Sequence, residues 1–165
     1  MTAMQIGESF VGEGAHAAHV NTVLGDRDGP AGTAWATALA TPSQGHAPFV
    51  AVLRPGLPVK PLTLFVNKAA VVGTGHGTLT WGAAQAGVAA GVADAVADGT
   101  AVDDLVLLAA VWVNPAATDA DTVYANNRTA ARAALAAGAA GEPTLADVLA
   151  AREHPTNPFY TPDGP

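Results

Sequence analysis

From Leu105 to Val113 the chain is apolar without interruption, ending at Asn114. The run is far shorter than the ~20 residues that cross a bilayer. Its Leu, Val and Trp content suits a β-strand. Side chains alternate faces along a strand, so one apolar on both faces suits a central place in a sheet, covered on each side. The rest of the chain must therefore supply flanking strands and the helices to cover them.

The remaining sequence meets that demand. Met4–Val11 and His16–Leu24 read as strands joined by a turn at Gly12–Gly14, a hairpin. Pro30 suits the first turn of a helix reaching about Ala40, where its missing N–H is not needed. Phe49–Leu53 and Leu62–Val72 read as further strands. Thr78 or Thr80 is expected to cap a long helix to about Asp98, closed by Gly99. Trp81, Val88, Val92 and Val96 share one stripe of it, with Gln85 on or beside that stripe. Thr118 with Asp121 resembles a capping box before a helix to about Ala137, and Thr144 caps a shorter one to about Arg152. The proline-rich tail from His154 is expected to be extended. With no repeat or linker, residues 1–165 are read as a single α/β domain (an α+β sandwich), helices packed on one sheet.

Two side chains disturb the apolar pattern. Lys68 shares a strand face with Leu62, Leu64, Val66, Ala70 and Val72. An unpaired buried ammonium costs several kcal/mol, roughly, so a partner, a ligand or access to water is implied. The amine can bind an anion, form an imine with a carbonyl compound, or reach solvent along its stem. His19 lies mid-strand with Asn21 on the same face. Imidazole exchanges protons near neutrality, and a structural, hydrogen-bonded histidine is the plain alternative. Gln85 can hold a ligand by its amide or sit at a helix end near solvent.

Other chemistry is disfavoured. A formal net charge of −7 argues against nucleic acid or an anionic membrane as partner. Without cysteine there is no disulfide, thiolate metal site or cysteine nucleophile. His16 and His19 point to opposite faces of a strand, and His46 and His76 lie in loop-like sequence without carboxylates, so no metal site is expected. Gly73-Thr74-Gly75-His76-Gly77 lacks the Lys-Ser/Thr of a phosphate loop. Trp35, Trp81 and Trp112 are assigned to core or interface, and Asp103-Asp104 to a solvated turn. No secretory signal is apparent in Met1–Phe10, so a cytoplasmic location is expected. Only 13% of residues are charged, which fits surface buried between subunits or simply the abundance of alanine.

Over Ile6–Phe159 the chain resembles the formaldehyde-activating enzymes. The likeness rests on Gly7-Glu8, Val11-Gly12-Glu13-Gly14 with Ala18-His19, Leu57-Pro58-Val59-Lys60-Pro61, Asn67-Lys68, Ala84-Gln85-Ala86-Gly87-Val88-Ala89, Asp94–Gly99, Gly141-Glu142-Pro143 and Pro158-Phe159, in that order and spacing. The resemblance implies condensation of formaldehyde with tetrahydromethanopterin to the methylene derivative and water. It implies His19 as proton donor, and Asn21, Val50, Lys68, Ala70 and Gln85 as pterin contacts. It also implies a fold like the second domain of ribosomal protein S5, and a homopentamer with sites between neighbouring subunits. No permanently bound cofactor or metal is implied; the reduced pterin is a co-substrate. Three positions depart from the family's usual residues: Asn21 stands for Asp, Ala70 for Thr and Val50 for Leu. A carboxylate beside an imidazole favours its protonated form, so Asn21 is expected to weaken His19 as an acid. The alternative function is a carrier or sensor that binds a reduced pterin or formaldehyde adduct without turnover.

Overall fold

A computed structural model describes residues 3–157 and 160–162. The landmark Pro158-Phe159 lies outside the described residues. Strands β1 (Gln5–Val11), β2 (Ala18–Asp26), β3 (Phe49–Val50), β6 (Leu62–Asn67) and β7 (Leu105–Trp112) form a five-stranded sheet in the order β1-β2-β7-β6-β3. β4 (Val52–Arg54) and β5 (Leu57–Pro58) make a separate small ribbon. The apolar run is β7, and it does take the central place. It pairs antiparallel with β2 and parallel with β6. A parallel neighbour needs a long crossover, supplied by α2 (Gly73–Thr78), a six-residue π-helical segment (Leu79–Ala84) and α3 (Gln85–Ala97).

The two faces of the sheet differ. Ala18, Val20, Leu24, Phe65, Leu107, Ala109 and Val111 face one way and form a single core with Val88 and Val92 of α3 and Ala130, Ala131 and Ala134 of α4 (Ala120–Ala140). Small residues let these layers approach. A Cβ on Gly7 of β1 would lie 1.8 Å from the carbonyl oxygen of Ala134, and one on Gly91 of α3 would lie 2.3 Å from that of Arg128. On the other face Val106 is buried, but Leu108, Ala110 and Trp112 are only half-buried. Helix α1 (Pro30–Ala40) touches β2 and β7, and the Trp35 indole donates to the Leu62 carbonyl. Full cover on both sides, expected from the uniformly apolar run, is thus found on one side.

Several boundaries shift for physical reasons. β2 begins at Ala18, because Gly14–His16 form a 3-10 turn and His16 Nε2 accepts the Thr118 and Asp119 N–H groups. The helix expected to start at Thr78 or Thr80 starts at Gly73, and His76 is buried within it. His76 Nδ1 accepts the Val72 N–H, and its Nε2 donates to the Val113 carbonyl, pinning glycine-rich backbone that has low intrinsic helix propensity. Asp119, not Thr118, caps α4, accepting the Thr122 N–H. α5 (Leu145–Ala151) carries the expected capping box from Thr144, completed by Asp147. Trp81 is exposed, off the core stripe it was expected to share with Val88 and Val92. Among the described residues no helix is long and apolar enough to cross a membrane.

Candidate active site

Strand register assembles the candidate residues on the open face. Phe10 lies opposite His19, and Glu8 opposite Asn21, in the β1–β2 hairpin. Across the next pairing His19 faces Trp112, and Asn21 faces Ala110. Val66 of β6 is level with Ala110, which sets Lys68, two residues on, near the Trp112 end. The Lys68 N–H extends the ladder by bonding to the Val111 carbonyl.

β6 itself ends at Asn67, short of the expected Val72. The Asn67 amide turns the chain by donating to the carbonyls of Gly45 and Ala69, both outside any strand ladder. Lys68 therefore projects from the strand's last rung, while Ala70 and Val72 lie in the following loop.

At this end of the sheet the polar groups form a chain. Glu8 Oε1 lies 2.8 Å from His19 Nε2. His19 Nδ1 lies 3.4 Å from Lys68 Nζ, and the same ammonium donates to Asn21 Oδ1. The Phe10 ring sits 5.6 Å from the imidazole, tilted by 45°. Burial lowers the Lys68 pKa from the ordinary value of 10.5, partly opposed by the Glu8 carboxylate. A cavity of about 640 Å³ opens here, lined by Glu8, Phe10, His19, Lys68, Trp112, Thr156 and Asn157. Its walls combine an aromatic floor with an acid–imidazole–amine series. Such a site can take a flat heterocycle and move a proton to or from it.

His19, Asn21 and Lys68, separated by up to 49 positions in sequence, thus meet. His19 and Lys68 line this cavity, Asn21 bonds to Lys68 without lining it, and the other three candidates are not among its walls. Val50 sits on edge strand β3, paired with Leu64. Gln85 is buried at the start of α3, where its Oε1 accepts the Val52 N–H at 2.6 Å. Within one chain Gln85 holds the β4 segment against α3.

Asn21 contacts the amine, and Glu8 is the carboxylate on the imidazole. The Asp-to-Asn departure at position 21 therefore bears first on Lys68, and His19 keeps a carboxylate partner. Sequence reasoning missed Glu8, Phe10 and Trp112 as site residues. The legible signal was their alternation: Ile6, Glu8 and Phe10 share the β1 face that a hairpin would set against His19 and Asn21.

The model of the formaldehyde-activating enzyme (Fae) family matches residues 6–160. A 5,6,7,8-tetrahydromethanopterin hydro-lyase of Methanosarcina barkeri is 39% identical over 158 residues, 93% of this chain and 89% of that protein. A bifunctional enzyme Fae/Hps of Methanococcoides burtonii is 40% identical over 150 residues, 88% of this chain but 38% of the longer relative. A bifunctional enzyme Fae/Hps of Methanocella arvoryzae is 42% identical over 135 residues, 79% of this chain and 34% of its own length. With its match spanning nearly every described element, from β1 to the tail that walls the cavity, this chain belongs to the formaldehyde-activating enzyme family.

Proposed function

We propose that this chain condenses formaldehyde with tetrahydromethanopterin to the methylene derivative and water, with His19 as the general acid. The observation that carries the reading is the placement of His19 between Glu8 and Lys68 on the wall of the open-face cavity, in a chain 39% identical to a tetrahydromethanopterin hydro-lyase. An amine nitrogen of the reduced pterin attacks the formaldehyde carbon and yields a carbinolamine. The hydroxyl then takes the His19 proton and departs as water, while the nitrogen lone pair closes to an iminium. The second pterin nitrogen adds to that carbon and loses its proton to give the methylene bridge. General-acid help of this kind is worth about 10²–10⁴-fold. Orientation of both nitrogens against the aldehyde in the open-face cavity supplies the rest.

Lys68 and Asn21 hold polar atoms of the pterin beside the acid, and Phe10 and Trp112 offer faces for its ring. In this reading the pterin is a co-substrate that comes and goes. Val50, Ala70 and Gln85 join the pterin site across a subunit boundary, in a cytoplasmic homopentamer. Two features support such an assembly: the half-covered sheet face, and exposed apolar side chains at Ile6 (59% exposed), Val72 (64%) and Trp81 (43%).

The test is methylene-pterin formation from formaldehyde, followed with tetrahydromethanopterin and with tetrahydrofolate against each spontaneous rate. Acceleration with the former is expected. Tight pterin binding with no acceleration would contradict the reading and leave a carrier. Native mass spectrometry of the intact protein checks the five-membered ring.

A further inference from the structure

Position 21, where the family resemblance places a carboxylate, holds an amide engaged by Lys68. Glu8 nevertheless reaches diagonally across the hairpin to His19, as long side chains on neighbouring strands can. Glu8 is exposed, with 59% of its side chain open to solvent, so the contact is no requirement of the core.

We propose that Glu8 is a positioning residue that fixes the tautomer and ring orientation of His19; the inference rests on the reading of His19 as the acid. A carboxylate oxygen only accepts, so the imidazole hydrogen of the pair stands on Nε2. Nδ1 is thereby turned toward Lys68 Nζ, 3.4 Å away. The proton that the imidazolium surrenders is the one on Nδ1, at the Lys68 end of the cavity. Transfer breaks the Nδ1–H bond and the carbinolamine C–O bond and forms an O–H bond of water. The nitrogen lone pair becomes the new C=N bond. What remains is neutral imidazole with hydrogen on Nε2, still bonded to Glu8, so the ring need not rotate between turnovers. Glu8, Lys68 and the neutral Asn21 and Phe10 are the groups set around the ring.

The experiment uses the full chain with ¹⁵N-labelled histidine, read by long-range ¹⁵N–¹H correlation, beside steady-state kinetics. Wild type is expected to show His19 as the Nε2–H tautomer. In Glu8→Gln the side-chain amide can donate as well as accept, and the His19 signals should move toward a tautomer mixture. His16 and His76 should stay fixed, since their backbone partners are untouched. The same variant should lose about 10–100-fold in kcat, less than full loss of the acid, while the pterin KM changes by less than about twofold. Glu8→Asp, which keeps the acceptor, should recover part of the rate and the wild-type tautomer. An unchanged tautomer with unchanged kcat in Glu8→Gln would overturn the proposal. So would a rise in KM alone, which would make Glu8 a substrate contact. If wild type accelerates no reduced pterin, the reading of the reaction fails, while the tautomer measurement still decides the role of Glu8.

Discussion

The two faces of the central sheet solve opposite problems with the same strands. On the helix-covered face β2 and β7 present Val20, Thr22, Leu107, Ala109 and Val111, all sealed from water against α3 and α4. On the open face the alternate residues of the same strands include His19, Asn21, Ala110 and Trp112, all half-buried, and His19 and Trp112 line a cavity at one end. A one-residue step along β2 thus separates packing from chemistry. The comparison teaches that stability and activity should respond separately to substitutions on neighbouring residues.

The sharpest break on the covered side is Phe65→Ala. Phe65 is fully buried and stacked on Phe49 at 5.3 Å. Its truncation should cost about 3–5 kcal/mol in denaturant unfolding. Any chain that remains folded should keep the open-face chemistry. Gly91→Ala comes next, since its Cβ would press on the α4 backbone at 2.3 Å. Overpacking of this kind costs about 1–3 kcal/mol, even after the gain in helix propensity, and should appear as a lowered midpoint with little change in KM.

Lys68→Met tests the opposite side. It should weaken pterin binding in a calorimetric titration while leaving stability equal to wild type or raised by less than about 1 kcal/mol, a partly exposed amine being well screened. The sign follows from linkage. Burial lowers the folded-state pKa of Lys68 below 10.5, so between the two values the unfolded chain holds more protons. Wild-type stability should therefore gain on the variant as pH rises through the folded value toward 10.5.

The smallest effect belongs to Asp94→Asn on the outer surface of α3. The Arg128 guanidinium holds the Asp94 carboxyl below its ordinary value of 3.8. A depressed carboxylate contributes stability above the unfolded value and loses it as pH falls through the folded one. The variant should be slightly less stable at neutral pH, and the gap should close in acid, as melting curves across that range would show.

Much of the covered face was legible because burial leaves a pattern. The run from Leu105, the Pro30 helix start and the Thr144 cap each express a local rule, and each stands where the sequence places it. The helix start at Gly73 was not legible, because it depends on His76 bridging Val72 to Val113, a bond between residues 37 positions apart. The site was legible in part. His19 and Lys68 stand out as polar residues in apolar strands, and Asn21 follows from His19 by alternation. Glu8 does not stand out, since a glutamate on an edge strand is ordinary until the hairpin register brings it beside His19. Val50 and Ala70 rest on the family resemblance alone, Gln85 also on its place at an apolar helical stripe, and none of the three lines the cavity beside His19.

The central claim is that His19 delivers the proton that turns the carbinolamine hydroxyl into water. Its most direct test is His19→Ala, with the rate of methylene-tetrahydromethanopterin formation and the melting temperature measured on the same preparation. The account predicts an enzymatic rate lower by about 10²–10⁴-fold, with a melting temperature close to wild type and pterin still bound. A variant that retains the wild-type rate would contradict it.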